Sequence, residues 1–163
     1  MKKQNAVNAL LDEYHKAVRE LQLEIGDVQN TQLAQIVDPL TDNPDCKSIQ
    51  TILAHVVASG YSYCVYIRNL KDPSAQRPAR VKRETAQEYC NDLDAVLKYT
   101  DQTFAQIFDD ELEVFESERK MHTSWQQEYD IEQLMEHAIV HILRHRRQIE
   151  RFKRILNEEF HKP

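Results

Sequence analysis

Residues 131–156 read IEQLMEHAIVHILRHRRQIERFKRIL, the most strongly periodic stretch of the chain. Ile131, Leu134, Ala138, Ile142, Ile149, Phe152 and Leu156 recur three, four or seven residues apart. That is the spacing of one apolar stripe on a helix of 3.6 residues per turn. Asp130 with Gln133 resembles a capping box at its start.

Three further segments carry the same pattern. The first holds Val7, Leu10, Leu11, Tyr14, Val18 and Leu21. The second runs from about Ser48 to Leu70, with Ile49, Ile52, Leu53, Val56, Cys64 and Ile67 on its apolar side. The third holds Tyr89, Leu93, Val96, Leu97, Phe104 and Ile107. Ser48 can cap the second segment, and Thr85 with Glu88 makes a capping box for the third. Residues 38–46 and 71–84 have loop chemistry, with Pro39 and Pro44 in one and Pro73 and Pro78 in the other. Residues 109–129 are long and irregular, with Leu112, Val114, Phe115 and Trp125 available to pack back on the helices. There is no strand-rich region and no internal repeat, so the expected fold is all-α, a four-helix bundle forming one domain over residues 1–163.

Composition agrees. Of 163 residues, 41% are hydrophobic and 29% charged, enough apolar material for a packed interior. Two glycines, Gly26 and Gly60, and five prolines are too few for a fold of many tight turns. A net charge of -6 argues against holding phosphate backbones. Arg144, Arg146, Arg147, Arg151, Lys153 and Arg154 are dense, but they surround several sides of one helix and read as its solvated end. No apolar run reaches the length of about 18 residues that suggests a membrane-spanning helix. No apolar signal segment follows the basic N-terminus, and Cys46, Cys64 and Cys90 form no C-x-x-C pair. The expected location is the cytoplasm, with no nucleic-acid or membrane partner.

The last helix also carries His137, His141 and His145, each one turn from the next. Two imidazoles at this spacing can reach one metal ion. No glutamate lies between them, so the zinc-protease pattern loses its general base. With residues roughly 100° apart around the helix, His145 lies about 20° from the centre of the apolar stripe, His141 about 60° and His137 about 100°. His141 and His145 therefore point inward and His137 nearer the rim. A third ligand must come from another helix, and His55 is the histidine inside the second, at the edge of its stripe. The competing account makes them ordinary helix histidines, but a buried imidazole pair then needs hydrogen-bond partners that the stripes scarcely supply. A di-iron bundle needs Glu-x-x-His pairs, and the positions three before these histidines are Leu134, Ala138 and Ile142.

Two motifs resemble the DinB-like superfamily of bacterial helix bundles, named for damage-inducible stress genes and including the YfiT-like proteins. One is Leu53-Ala54-His55 in the second helix; the other is His141-Ile142-Leu143-Arg144-His145-Arg146-Arg147-Gln148 in the last. The resemblance covers nearly the whole chain. It implies that His55, His141 and His145 bind a divalent metal, zinc or nickel foremost. It also implies transfer of a low-molecular-weight thiol, such as bacillithiol or mycothiol, to a small electrophile. Arg147 stands where the family usually has glycine, and is expected near the site or on its rim.

Three neutral imidazoles leave a coordination position open, as in catalytic rather than structural sites. An ion there can activate a thiol or a water, so a metal-dependent hydrolase is the second enzymatic reading. A non-catalytic interaction bundle with a structural or absent metal is the third, and homodimerisation is expected of this architecture. His137, Tyr129, Trp125, Tyr61, Tyr63 and Tyr66 are candidates to line a pocket, Gln148 and Glu136 to orient ligands, and Cys64 to act as nucleophile.

Overall fold

Three of the four long helices begin where their capping residues predict. In the computed structural model, which describes residues 3–160 (backbone only for 159 and 160), the four are α1 (Asn5–Ile25), α3 (Ile49–Asn69), α4 (Ala86–Phe104) and α5 (Ile131–Phe160). A single turn, α2 (Asn30–Leu33), follows α1. The Thr51 amide donates to Ser48 Oγ at 3.1 Å, and the Ser48 amide to Thr51 Oγ1 at 3.1 Å. Thr85 and Glu88 exchange the same pair of bonds at 3.2 and 3.0 Å, and Asp130 and Gln133 at 2.9 and 3.2 Å. Each reciprocal pair satisfies amides that the first helical turn leaves without partners. The start of α1 is capped from a distance. The Asp109 carboxylate accepts the amides of Asn5, Ala6 and Val7 at 3.0, 3.0 and 3.1 Å, placing a negative charge at the positive end of the helix.

Helix α1 packs against α5 and α4, and α3 packs against α4 and α5, closing a ring in the order α1, α5, α3, α4. Cross-contacts give the directions. Glu20 meets Arg146 and Glu24 meets Lys153, so α1 and α5 run parallel. Cys64 meets Thr100 and Arg68 meets Thr103, so α3 and α4 run parallel. The two pairs oppose each other, because Gln22 near the end of α1 bonds Cys90 near the start of α4. Parallel neighbours cannot be joined by a short turn, so residues 70–85 must return along the length of the bundle. That crossover is pinned at its end: Gln50 donates to the Arg83 carbonyl at 2.9 Å, and Arg83 grips Asp92 with two bonds of 2.8 and 2.9 Å.

The predicted stripes form the interior. Val18, Leu21, Ile52, Leu93, Leu134 and Phe152 are each almost wholly buried, and a side chain of this kind stabilises by about 1.5–3 kcal/mol. No helix among the described residues is long and apolar enough to cross a membrane. Three of the six basic residues in the run on α5 meet acidic partners: Arg146 pairs with Glu20 and Glu150, Arg151 with Asp38, and Lys153 with Glu24 and Asp27.

Two features depart from the sequence expectation. Residues 109–129 contain a small antiparallel ribbon, β1 (Met121–His122) with β2 (Glu128–Tyr129), pairing Met121 with Tyr129. Gln126 takes a left-handed φ of 64° in the turn between them. Leu112 and Met121 are buried beneath this segment, but Phe115, expected to pack back, is 90% exposed.

Gly60 sits where α3 crosses α4 and α1. A Cβ there would lie 2.6 Å from Val96 Cγ1 and 3.2 Å from the Tyr14 hydroxyl. Alanine favours a helix interior by about 1 kcal/mol over glycine, yet overpacking here is expected to reverse the sign. Gly60→Ala should destabilise by about 1–3 kcal/mol. Gly26→Ala, whose Cβ would meet only backbone oxygens at 3.5 and 3.6 Å, should be neutral or stabilising. Thermal denaturation of the two variants checks this, and equal melting temperatures would contradict it.

Candidate metal centre

The antiparallel packing of α3 on α5 brings His55 against His141 and His145. His141 Nε2 lies 2.9 Å from His55 Nε2 and 3.2 Å from His145 Nε2. The three ligand atoms all fall within 4.8 Å of one another. Nitrogens at the two shorter separations subtend roughly 90–105° at an ion bonded at about 2.0–2.1 Å, angles suited to tetrahedral or octahedral coordination. Burial follows the helical-wheel order at its inner end: His145 is 3% exposed, whereas His141 and His137 are half-buried.

The outer nitrogens define the inner ones. His55 Nδ1 lies 3.1 Å from Asp45 Oδ2, and His145 Nδ1 lies 3.1 Å from Gln148 Oε1. A carboxylate can only accept, so His55 Nδ1 carries the proton and its Nε2 presents a lone pair; with Gln148 Oε1 as the acceptor, the same tautomer follows for His145. His141 Nδ1 is buried and has no hydrogen-bond partner among the described residues. One proton on His141 Nε2 could satisfy one neighbour and not the other. The nitrogens therefore lack a positive centre, which a divalent cation would supply for all three at once. The residues fit such an ion.

Burial pushes His141 down to about 3, and the adjacent His145 and His55 push in the same direction. Burial, then His55, pushes His145 down to about 4. His55 is lowered by burial against the opposing pull of Asp45, and His137 by burial alone. All four are neutral at pH 7, the form a metal ligand requires.

Above the imidazoles opens a cleft of about 370 Å³, lined on the α3 side by His55, Ser59, Ser62, Tyr63 and Tyr66. Its opposite wall is His137 and His141 of α5, with Ser124 and Trp125 of the ribbon turn. Trp125 stacks on His137 with ring centres 5.5 Å apart and planes 19° apart. The Tyr129 hydroxyl lies 3.3 Å from His137 Nδ1, and the Tyr66 hydroxyl accepts the Ser124 amide at 2.9 Å.

The predicted residues thus divide. His55, His141 and His145 converge; Gln148 contacts His145; His137, Trp125, Tyr63 and Tyr66 line the cleft, and Tyr129 touches His137 and Trp125 without lining it. Tyr61 does not, packing instead against Tyr99 at 5.3 Å. Glu136 is exposed. Cys64 is buried, 3.3 Å from Thr100 Oγ1, with its thiol raised by desolvation, and is no cleft nucleophile. Arg147 is exposed, and the arginine of α5 whose charge reaches all three imidazoles is Arg144. Sequence reasoning missed Ser59 and Ser62, although they stand four and seven residues after His55 on the same face. It also missed Asp45, for which no local signal exists.

The lowered imidazoles set a sign for stability. Unfolded histidine titrates near 6.5, so below that pH the unfolded chain of metal-free protein binds protons that the folded site refuses. Stability should be fully present above about pH 6.5 and fall as pH drops toward 4, where His145 titrates in the folded state. Urea melts of chelator-treated protein from pH 7.5 to 4.5 measure this. A smaller slope is expected for His145→Asn, and identical slopes would contradict the assignment.

Comparison with protein-family models, with curated proteins and with solved structures returned no match to this chain. The DinB-like resemblance therefore stands on Leu53-Ala54-His55 and the histidine string of α5 alone.

Proposed function

We propose that this chain is a divalent-metal-dependent enzyme of the DinB-like kind, activating a low-molecular-weight thiol for attack on a small electrophile. The observation that carries the reading is the convergence of three imidazole nitrogens beside a cleft of about 370 Å³. A closed structural site would have four protein ligands and no cavity against it. Here three nitrogens meet, and His55 and His141 both line the cleft.

Zinc or nickel is the expected ion, and when bound it favours the deprotonated form of a thiol or water at an open position. The rest falls to the chain. His55, His141 and His145 hold the ion without a charged ligand, so the site keeps its positive charge and favours an anionic sulfur. In the transfer, the thiol proton leaves to solvent, sulfur forms a bond to the electrophilic carbon, and the leaving group departs with the displaced pair. Ser59, Ser62 and Ser124 offer hydroxyls to orient polar groups, while Tyr63, Tyr66 and Trp125 offer flat apolar surface. The lining carries no carboxylate, lysine or arginine, which suits an uncharged electrophile.

The first test is metal content by elemental mass spectrometry on untagged protein. About one divalent ion per chain is expected, with loss in the double variant His141→Ala/His145→Ala. The loaded protein should then accelerate thiol conjugation to monochlorobimane with a panel of small thiols, by at least about 100-fold over the double variant, the low end of catalytic effects of this kind. Metal without conjugation but with hydrolysis of p-nitrophenyl acetate would favour the hydrolase. No ion after incubation with zinc or nickel would leave the interaction bundle.

A further inference from the structure

The three imidazoles are not held alike. His145 leans on a neutral amide, Gln148, and the outer nitrogen of His141 has no partner among the described residues. Only His55 is backed by a carboxylate, and that carboxylate is itself clamped. Asp45 gives Oδ2 to His55 Nδ1 at 3.1 Å and Oδ1 to Arg80 Nη1 at 2.6 Å. Arg80 extends its other arm, Nη2, to the Thr51 carbonyl of α3 at 3.0 Å. Asp45 lies in a 3-10 helix of one turn, Pro44–Cys46, where its amide donates to Asn43 Oδ1 at 3.0 Å and the neighbouring Cys46 is buried. Arg80 belongs to the crossover between α3 and α4. Two loops thus close on one histidine.

We propose that Asp45, clamped by Arg80, is the positioning residue of the site. It holds the His55 proton on Nδ1 and aims the Nε2 lone pair at His141 and His145, so that the α3–α4 crossover helps set affinity for the divalent ion. This rests on the metal reading above. His55 is the ligand that needs such a device. His141 and His145 sit one turn apart on a single helix, which fixes their separation, whereas His55 comes from another helix at the edge of its stripe. An imidazole without an outer acceptor is free to carry its proton on Nε2, where it blocks coordination, or to turn its ring away. The carboxylate removes both freedoms and raises the basicity of the coordinating nitrogen. The Arg80 fork in turn prevents the carboxylate from swinging to solvent, since one arm is anchored to the helix that bears His55.

The experiment is a zinc competition titration against a chromophoric chelator, on the full chain. Asp45→Ala is expected to weaken zinc binding by about 10–100-fold. Asp45→Asn, which keeps an acceptor without the charge, should fall between wild type and Asp45→Ala, and it serves should Asp45→Ala fail to fold. Arg80→Lys keeps the charge but cannot bridge Asp45 and the Thr51 carbonyl, and should weaken binding several-fold. Asp101→Asn breaks a carboxylate–histidine pair remote from the site, with His15 at 2.7 Å, and should leave affinity unchanged. A second readout needs no metal. Long-range 1H–15N spectra of metal-free protein should show His55 protonated on Nδ1 in wild type and losing that preference in Asp45→Ala. Wild-type affinity in Asp45→Ala and Asp45→Asn, or a wild-type His55 protonated on Nε2, would overturn the proposal. A wild type that binds no zinc at all would instead overturn the metal reading, and the spectra would still decide whether Asp45 positions His55.

Discussion

The antiparallel contact between α3 and α5 is asked to do two incompatible things. As the middle of the bundle it must exclude water, and Ile52, Leu134, Ala138 and Ile142 do so. At the same level it encloses three imidazoles whose inner nitrogens stand 2.9 and 3.2 Å apart. Imidazole nitrogens drawn together in a half-buried site have few hydrogen-bond partners to relieve them, with only the cleft side of His55 and His141 open. The chain tolerates the arrangement because the surrounding helices are fixed before the histidines are considered. The same rigidity that makes the site costly without a cation makes it ready for one.

That rigidity has identifiable sources. Every long helix starts on a cap, three from reciprocal side-chain pairs and α1 from the Asp109 carboxylate across the bundle. Gly60 lets α3 approach α4 more closely than any side chain would permit. The parallel pairing of α3 and α4 forces a crossover along the bundle, and the chain uses it by bringing Arg80 to the outer side of His55. A bundle with short antiparallel turns throughout would have no such strand of chain near the site.

The cleft owes its shape to the least regular part of the molecule. The ribbon of residues 121–129 turns through Gln126 and leans Trp125 on His137 and Tyr129, while Tyr66 holds the turn by the Ser124 amide. Aromatic rings then stand on both sides of the opening, Tyr63 and Tyr66 from α3 and Trp125 from the ribbon turn, with serine hydroxyls among them. The imidazole floor belongs to the helices, and the ribbon adds Ser124 and Trp125 to a lining otherwise supplied by α3 and α5.

Local sequence alone determined much about this protein: four amphipathic helices, the starting caps of three of them, and the inward direction of His141 and His145. These are short-range properties, set by 3.6 residues per turn and by hydrogen bonds between residues three apart. The L-x-H and H-x-x-x-H strings also singled out His55, although its place at the edge of a stripe could not show which neighbour it faces. Tertiary structure alone decided that α3 runs parallel to α4 and antiparallel to α5, and hence that His55 meets the pair. It alone decided that Asp45 and Arg80 stand behind His55, that Tyr61 faces away, that Cys64 is sealed in the core and that Phe115 is exposed. The physical reason is range. A helix writes its own register into nearby residues, whereas a contact between residues 86 apart, such as His55 with His141, exists only once all four helices have chosen their neighbours.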